Sequence, residues 1–257
     1  MLEIVKFWKD FVPNPGNNIH PQDKKFIDET GKTPIALFSS KLTKSLEPDC
    51  TFRLGLLPQP YMGNLAKSRI VLVMLNPGYA GTEFEEHKDL QARKAILDTI
   101  NQNFSGVLAE SNYMYMNALY KDTSGYRYLC SEPKNPIKGC LRDCIVKYAK
   151  DKGISQESSQ RFFSNSICMI ELFPYHSAKF GKVKPLINNL PSYLKAKAFI
   201  IEKAKDKKNL IFLVRGAERF DESFLSQKNV IRFGQGESRK MYFTLHKHGK
   251  KLLDHIM

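Results

Sequence analysis

The chain is expected to fold as an α/β protein in three layers, α/β/α, around a mostly parallel sheet of four strands. Three observations predict this. Four short apolar runs rich in Val, Ile and Phe recur along the 257 residues, and that composition suits strands. Between them lie stretches with helical spacing, and strands that alternate with helices build a parallel sheet covered on both faces. Each run also ends in residues with chemistry to offer, and in such sheets ligands sit beyond the carboxyl ends of the strands.

Residues 1–50 read as a helical extension, and residues 51–257 as the α/β domain. In the extension, "LEIVKFWKDF" places apolar residues at helical spacing, "PNPGNNIHPQD" is a loop, and "QDKKFIDETGK" makes a second helix stopped at Gly31. The strands are "IVLVML" (70–75), "SICMIEL" (166–172), "NLIFLV" (209–214) and "MYFTLH" (241–246). The clearest helices between them are "DLQARKAILDTINQN" and "PSYLKAKAFIIEKAKDK".

The charge balance is one-sided. Forty Lys and Arg against 26 Asp and Glu leave +14, which favours a polyanionic partner, because neutralising phosphates releases condensed counterions. Nucleic acid fits better than an anionic membrane surface, since the lysines are not gathered on one amphipathic segment. No signal peptide is visible, and no apolar run approaches membrane-spanning length. Five cysteines at irregular spacing suit a reducing cytoplasm. The expectation is a cytoplasmic, monomeric, DNA-binding protein that uses no membrane, metal or cofactor.

Several motifs fail. "GKT" at Gly31–Thr33 has Phe26 where a phosphate loop needs glycine, and Gly234 and Gly236 lack the third glycine of a dinucleotide fingerprint. Cys130, Cys140 and Cys144 do not assemble four well-placed ligands.

The strand ends are "NPGY", "FPYHS", "RGAERF" and "HKHGK". In the first, Pro77 and Gly78 set a tight turn and remove bulk, so that a ligand can approach the main chain. Lys179, Lys182 and Lys184 follow the second, and Lys247, Lys250 and Lys251 cluster after His246. Both clusters suit phosphate contacts.

The segment "PYMGNLAKSRIVLVMLNPGY", Pro60 to Tyr79, resembles the first motif of the uracil-DNA glycosylase superfamily in its Asn-Pro-Gly form. "SICMIELFPYHS", "NLIFLVRGAERF" and "MYFTLHKHG" follow in the order of the later family segments. Two departures stand out. Lys247 and His248 replace the proline and serine expected after the family's last histidine, and no asparagine clearly occupies the place that reads a pyrimidine edge. The C-x2-C pair of the iron–sulfur members is also missing.

The resemblance implies base flipping and hydrolysis of an N-glycosidic bond, leaving an abasic site. Asn76 would hold the attacking water through its side-chain carbonyl, and His246 would donate to the departing base. Tyr79 and Phe173 would wall the pocket, since a flipped base needs a flat partner, and Tyr175 would join Pro77 and Gly78 at the substrate. His176 and Ser177 would contact sugar or phosphate. The implied substrate is a modified or mismatched pyrimidine, with glucosylated hydroxymethylcytosine of phage DNA, removed as antiviral defence, within that class. Two other readings use the same residues: a non-catalytic nucleic-acid binder or sensor, and a nucleoside or nucleotide hydrolase.

Overall fold

The computed structural model describes residues 1–30, 38–39, 52–79, 83, 87–131, 139–178, 180, 188–238 and 241–257. In chain order its helices and strands are α1 (Glu3–Trp8), α2 (Pro21–Thr30), β1 (Phe38–Ser39), β2 (Phe52–Arg53), β3 (Tyr61–Met62), β4 (Ile70–Met74), α3 (Leu90–Ile100), α4 (Ser124–Cys130) and α5 (Arg142–Lys152). There follow α6 (Gln156–Ser166), β5 (Ile167–Glu171), α7 (Pro191–Lys205), β6 (Leu210–Leu213), α8 (Glu222–Leu225), β7 (Val230–Arg232), α9 (Gln235–Ser238) and α10 (His248–Ile256).

The protein is α/β, as expected, with a mostly parallel sheet. Its strand order is β3-β5-β4-β6-β7, and the short β1 and β2 pair separately in parallel. Every residue of β4, β5 and β6 is buried, the mark of strands covered on both faces. Pairing of Ile70 with Leu210, and of Ile211 with Val230, sets the β4–β6 and β6–β7 registers.

The sheet has five strands rather than four, and the run 241–246 is not one of them. The place beside β6 is taken by β7, a run too short to stand out in the sequence. Met241 instead takes a left-handed φ of 47°, and the Phe243 N–H donates to the Cys140 carbonyl. Apolar alternation placed Met241 and Phe243 inside, but burial alone does not supply a ladder.

The chain forms two compact units: Met1–Tyr61, Met74–Asn103 and Ile170–Lys203 in one, and Met62–Val73, Phe104–Met169 and Ala204–Met257 in the other. In the first, α1 buries Ile4, Val5, Phe7 and Trp8, and the His20 ring stacks on Phe7 at 3.8 Å. Asp89 caps α3 by accepting from the N–H groups of Gln91 and Ala92. The same helix buries Ala92, Ala95, Ile96, Thr99 and Ile100, one continuous stripe.

In the second unit, Phe212, Phe233 and Phe243 pack edge to face, and His248 stacks on Phe233 at 3.8 Å. Gly63 shows what close packing demands of the main chain there. Its φ is +82°, and an added Cβ would lie 2.5 Å from the Ile167 carbonyl oxygen. Gly63→Ala is therefore expected to destabilise the protein by about 2–3 kcal/mol, from left-handed strain plus a backbone clash; a denaturant midpoint that stays put would contradict this.

Candidate functional site

The loops that follow β4 and β5 both lie in the first unit. They run side by side past the ends of their strands. Leu172 and Phe173 donate their N–H groups to the carbonyls of Met74 and Leu75, Ser177 donates to Pro77, and Gly78 and Ser177 form an isolated parallel bridge. On the other flank of the second loop, Gln59 donates to the Pro174 carbonyl and Arg53 to that of His176. The peptide groups of 172–177 are thus held from both sides, which fixes where their side chains project.

Asn76 sits within this pairing and is buried. Its Nδ2 donates to the Ser177 Oγ at 2.8 Å, to the Pro77 carbonyl at 3.0 Å and to the Tyr175 carbonyl at 3.4 Å. Two of these partners are main-chain carbonyls, which can only accept, so the orientation of the amide is decided. The Oδ1 atom consequently faces away from all three and accepts from none of the described residues. An amide oxygen in this setting can accept a hydrogen bond from a donor.

Around it, Pro77 is buried and Gly78 exposed. A Cβ on Gly78 would meet nothing within 4 Å among the described residues, so no crowding requires glycine at this point of the turn. Tyr79 is only 7 % exposed, with the Arg53 guanidinium 5.4 Å from its ring centroid.

The other expected pocket aromatics are committed to the interior. Phe173 is fully buried, stacked on Tyr193 at 5.0 Å and against Phe180 at 4.8 Å. Tyr175 donates its hydroxyl to Asp23 Oδ2 at 2.6 Å and accepts from the His20 N–H at 3.2 Å. Asp23 Oδ1 in turn accepts from the N–H of Ser192, in the first turn of α7, where a carboxylate complements the helix terminus. Burial pushes the Asp23 carboxyl above its ordinary range, against the hydrogen bonds that lower it.

His176 and Ser177, expected to face sugar or phosphate, are buried as well. The Ser177 hydroxyl accepts from Asn76, and His176 Nδ1 donates to the Gly78 carbonyl at 2.8 Å. Beside His176 stands His87, ring centroids 5.6 Å apart and nearly perpendicular, with Nδ1 donating to the Glu83 carbonyl at 2.7 Å. Burial lowers both imidazoles, that of His87 to about 4.

His246 lies in the second unit and is exposed. Lys247 is exposed but paired with Glu237 at 2.6 Å, and Glu237 also meets His248 Nε2 at 3.2 Å. Held first by Lys247 and then by the Gly234 N–H, the Glu237 carboxyl is pulled down to about 2. Lys250 is exposed on α10. Lys179, Lys182, Lys184, Cys50 and the "GKT" stretch lie outside the described residues. Cys130, Cys140 and Cys144 are buried free thiols, each raised by burial.

The structure thus gathers Asn76, Pro77, Gly78, Tyr79, Tyr175, His176 and Ser177 in one place. It adds Asp23, His20, Arg53, Glu83 and His87, which no sequence pattern singles out. Only "HPQD", with Pro21 opening a helix, hinted that His20 and Asp23 stand at a helix start. Among the described residues no group of three or more His, Cys, Asp or Glu gathers as a metal site. No described helix is long and apolar enough to cross a membrane. Comparison of the chain with family models, curated proteins and solved structures finds no match.

Proposed function

We propose that the protein is a monofunctional DNA glycosylase on a three-layer α/β/α fold of the uracil-DNA glycosylase type. The observation that carries the reading is the oriented amide of Asn76: its nitrogen is spent on Pro77, Tyr175 and Ser177, and its oxygen is left to accept. A water held by Oδ1 would attack the sugar carbon as the base departs, catalysis coming from position and preorganised dipoles rather than from a strong base. An amide cannot take up the proton as a carboxylate does, so the chemistry is slow by the standard of such enzymes. The proposed substrate is a modified or mismatched pyrimidine in DNA, with glucosylated hydroxymethylcytosine of phage DNA in that class.

The net charge of +14 supports a DNA partner. Affinity for a DNA duplex is expected to fall by more than about tenfold between 50 and 200 mM salt, since each neutralised phosphate returns counterions. A flat salt dependence in a binding titration would favour a small-molecule nucleoside substrate instead.

One observation favours a second reading, a nucleic-acid binder without catalysis. Tyr79, Phe173 and Tyr175 are each under 8 % exposed, so none offers a bare stacking face for a flipped base. Incubation with DNAs carrying uracil, thymine mismatches, alkylated bases and plain or glucosylated hydroxymethylcytosine separates the two. Release of a free base, read by mass spectrometry, supports the glycosylase; tight binding with no release across the panel supports the binder.

A further inference from the structure

His87 and His176 share an arrangement that the proposed reaction does not use. Each imidazole donates Nδ1–H to a main-chain carbonyl, of Glu83 and of Gly78 respectively. A carbonyl can only accept, so Nδ1 carries the proton in both rings and Nε2 of each neutral imidazole carries a lone pair. Both Nε2 atoms are fully buried, and among the described residues neither makes a hydrogen bond of ordinary geometry, although the Leu57 main-chain carbonyl is near enough to act on each ring; the residues themselves are 4 % and 2 % exposed.

Two buried acceptors on neighbouring rings call for an electron-poor partner. The described groups that act on the rings are mostly acceptors. The Leu57 main-chain carbonyl acts on both rings, and the Glu83 carboxylate acts on His176. Among the described residues, the cationic side chain that acts on the pair is Arg93, on His87.

A ring whose Nδ1–H is tied to a carbonyl, with Nε2 left bare, is how metal-binding histidines are normally held. The spacing agrees. A cation about 2 Å from each Nε2 would set the ring centroids between about 5 Å apart at a tetrahedral angle and about 6 Å apart in a linear pair, a span that includes the 5.6 Å here.

We propose that His87 and His176 jointly bind one d10 transition-metal cation, Cu+ or Zn2+, through their Nε2 atoms. Imidazole suits both ions. Two imidazoles alone form the low-coordinate set that Cu+ accepts, and Glu83 would balance its single charge; Zn2+ would need further ligands beyond these two. The ion would tie the main chain at Gly78, through His176, to that at Glu83, through His87. It would thereby brace the loop that begins at Asn76. This site stands apart from the glycosylase reading, and its test does not depend on activity.

The full-length protein, stripped with a chelator, is to be given Zn2+ alone or, anaerobically, Cu+ alone. Bound metal is counted after desalting, while histidine side-chain ¹H–¹⁵N spectra are followed. One equivalent is expected, in one arm or the other, with the Nε2 resonances of two histidines moving together. His87→Gln and His176→Gln should each weaken binding at least tenfold, and Cys140→Ser should leave it unchanged. The proposal is overturned if wild-type protein retains no equivalent, if the Nε2 resonances stay where they were, or if the ion is lost in Cys140→Ser and kept in both histidine variants. The first two of these outcomes would point to a buried water donating to both rings.

Discussion

Replacing Asn76 by alanine is expected to abolish base release while leaving DNA affinity within about twofold. Loss of one preorganised group of this kind lowers kcat by about a hundredfold to a thousandfold, and an enzyme already slow would then fall to background. The substitution also removes the amide's hydrogen bonds to the Ser177 hydroxyl and to the carbonyls of Pro77 and Tyr175, so the thermal midpoint must be measured alongside. Asn76→Asp sharpens the test. A carboxylate has no N–H to offer two carbonyls, so aspartate is expected to lose loop order rather than gain speed here, although it is the stronger base. Base release by Asn76→Ala at the wild-type rate would remove this residue from the chemistry.

The largest effect on stability is expected at Asp23. Its carboxylate accepts from the Tyr175 hydroxyl and from the Ser192 N–H, both buried. Asp23→Ala leaves two buried donors unsatisfied, at a cost of about 3–5 kcal/mol. Asp23→Asn keeps an acceptor for Ser192 and is expected to cost about 1 kcal/mol. The pH dependence is specific. Because burial raises the Asp23 carboxyl above its ordinary value of 3.8, the folded state binds the proton more tightly than the unfolded state. The stability this group contributes is therefore full below that value and is lost as pH rises through the folded pKa. The gap between wild type and Asp23→Asn should narrow from acid to neutral pH. A gap that widens instead would show the carboxylate to be stabilised where it lies.

Much of the scaffold was legible along the chain. The runs at 70–75, 166–172 and 209–214 are strands because their Val, Ile, Leu and Phe fill both faces of a covered sheet, and α1, α2, α3 and α7 follow their periodicity. The run 241–246 misled because apolar alternation reports burial, whereas strand identity needs an edge to pair with, and β7 holds that edge. The Asn-Pro-Gly turn was equally plain, since proline and glycine act on their own backbone. Its neighbours were not. Phe173 and Tyr175 look like pocket walls in a list of aromatics, but only packing tells that one stacks on Tyr193 and the other is spent on Asp23, 152 positions away.

What the sequence determined by itself were local and additive properties: the α/β class, the positive charge, the turn after β4 and the amide within it. Which way that amide points, and that the His87 and His176 rings meet with both Nδ1 atoms donating to main-chain carbonyls, was decided only by the tertiary structure. Hydrogen-bond direction and the meeting of remote side chains depend on partners 99, 101 and more positions apart, and no local pattern encodes a distance in space.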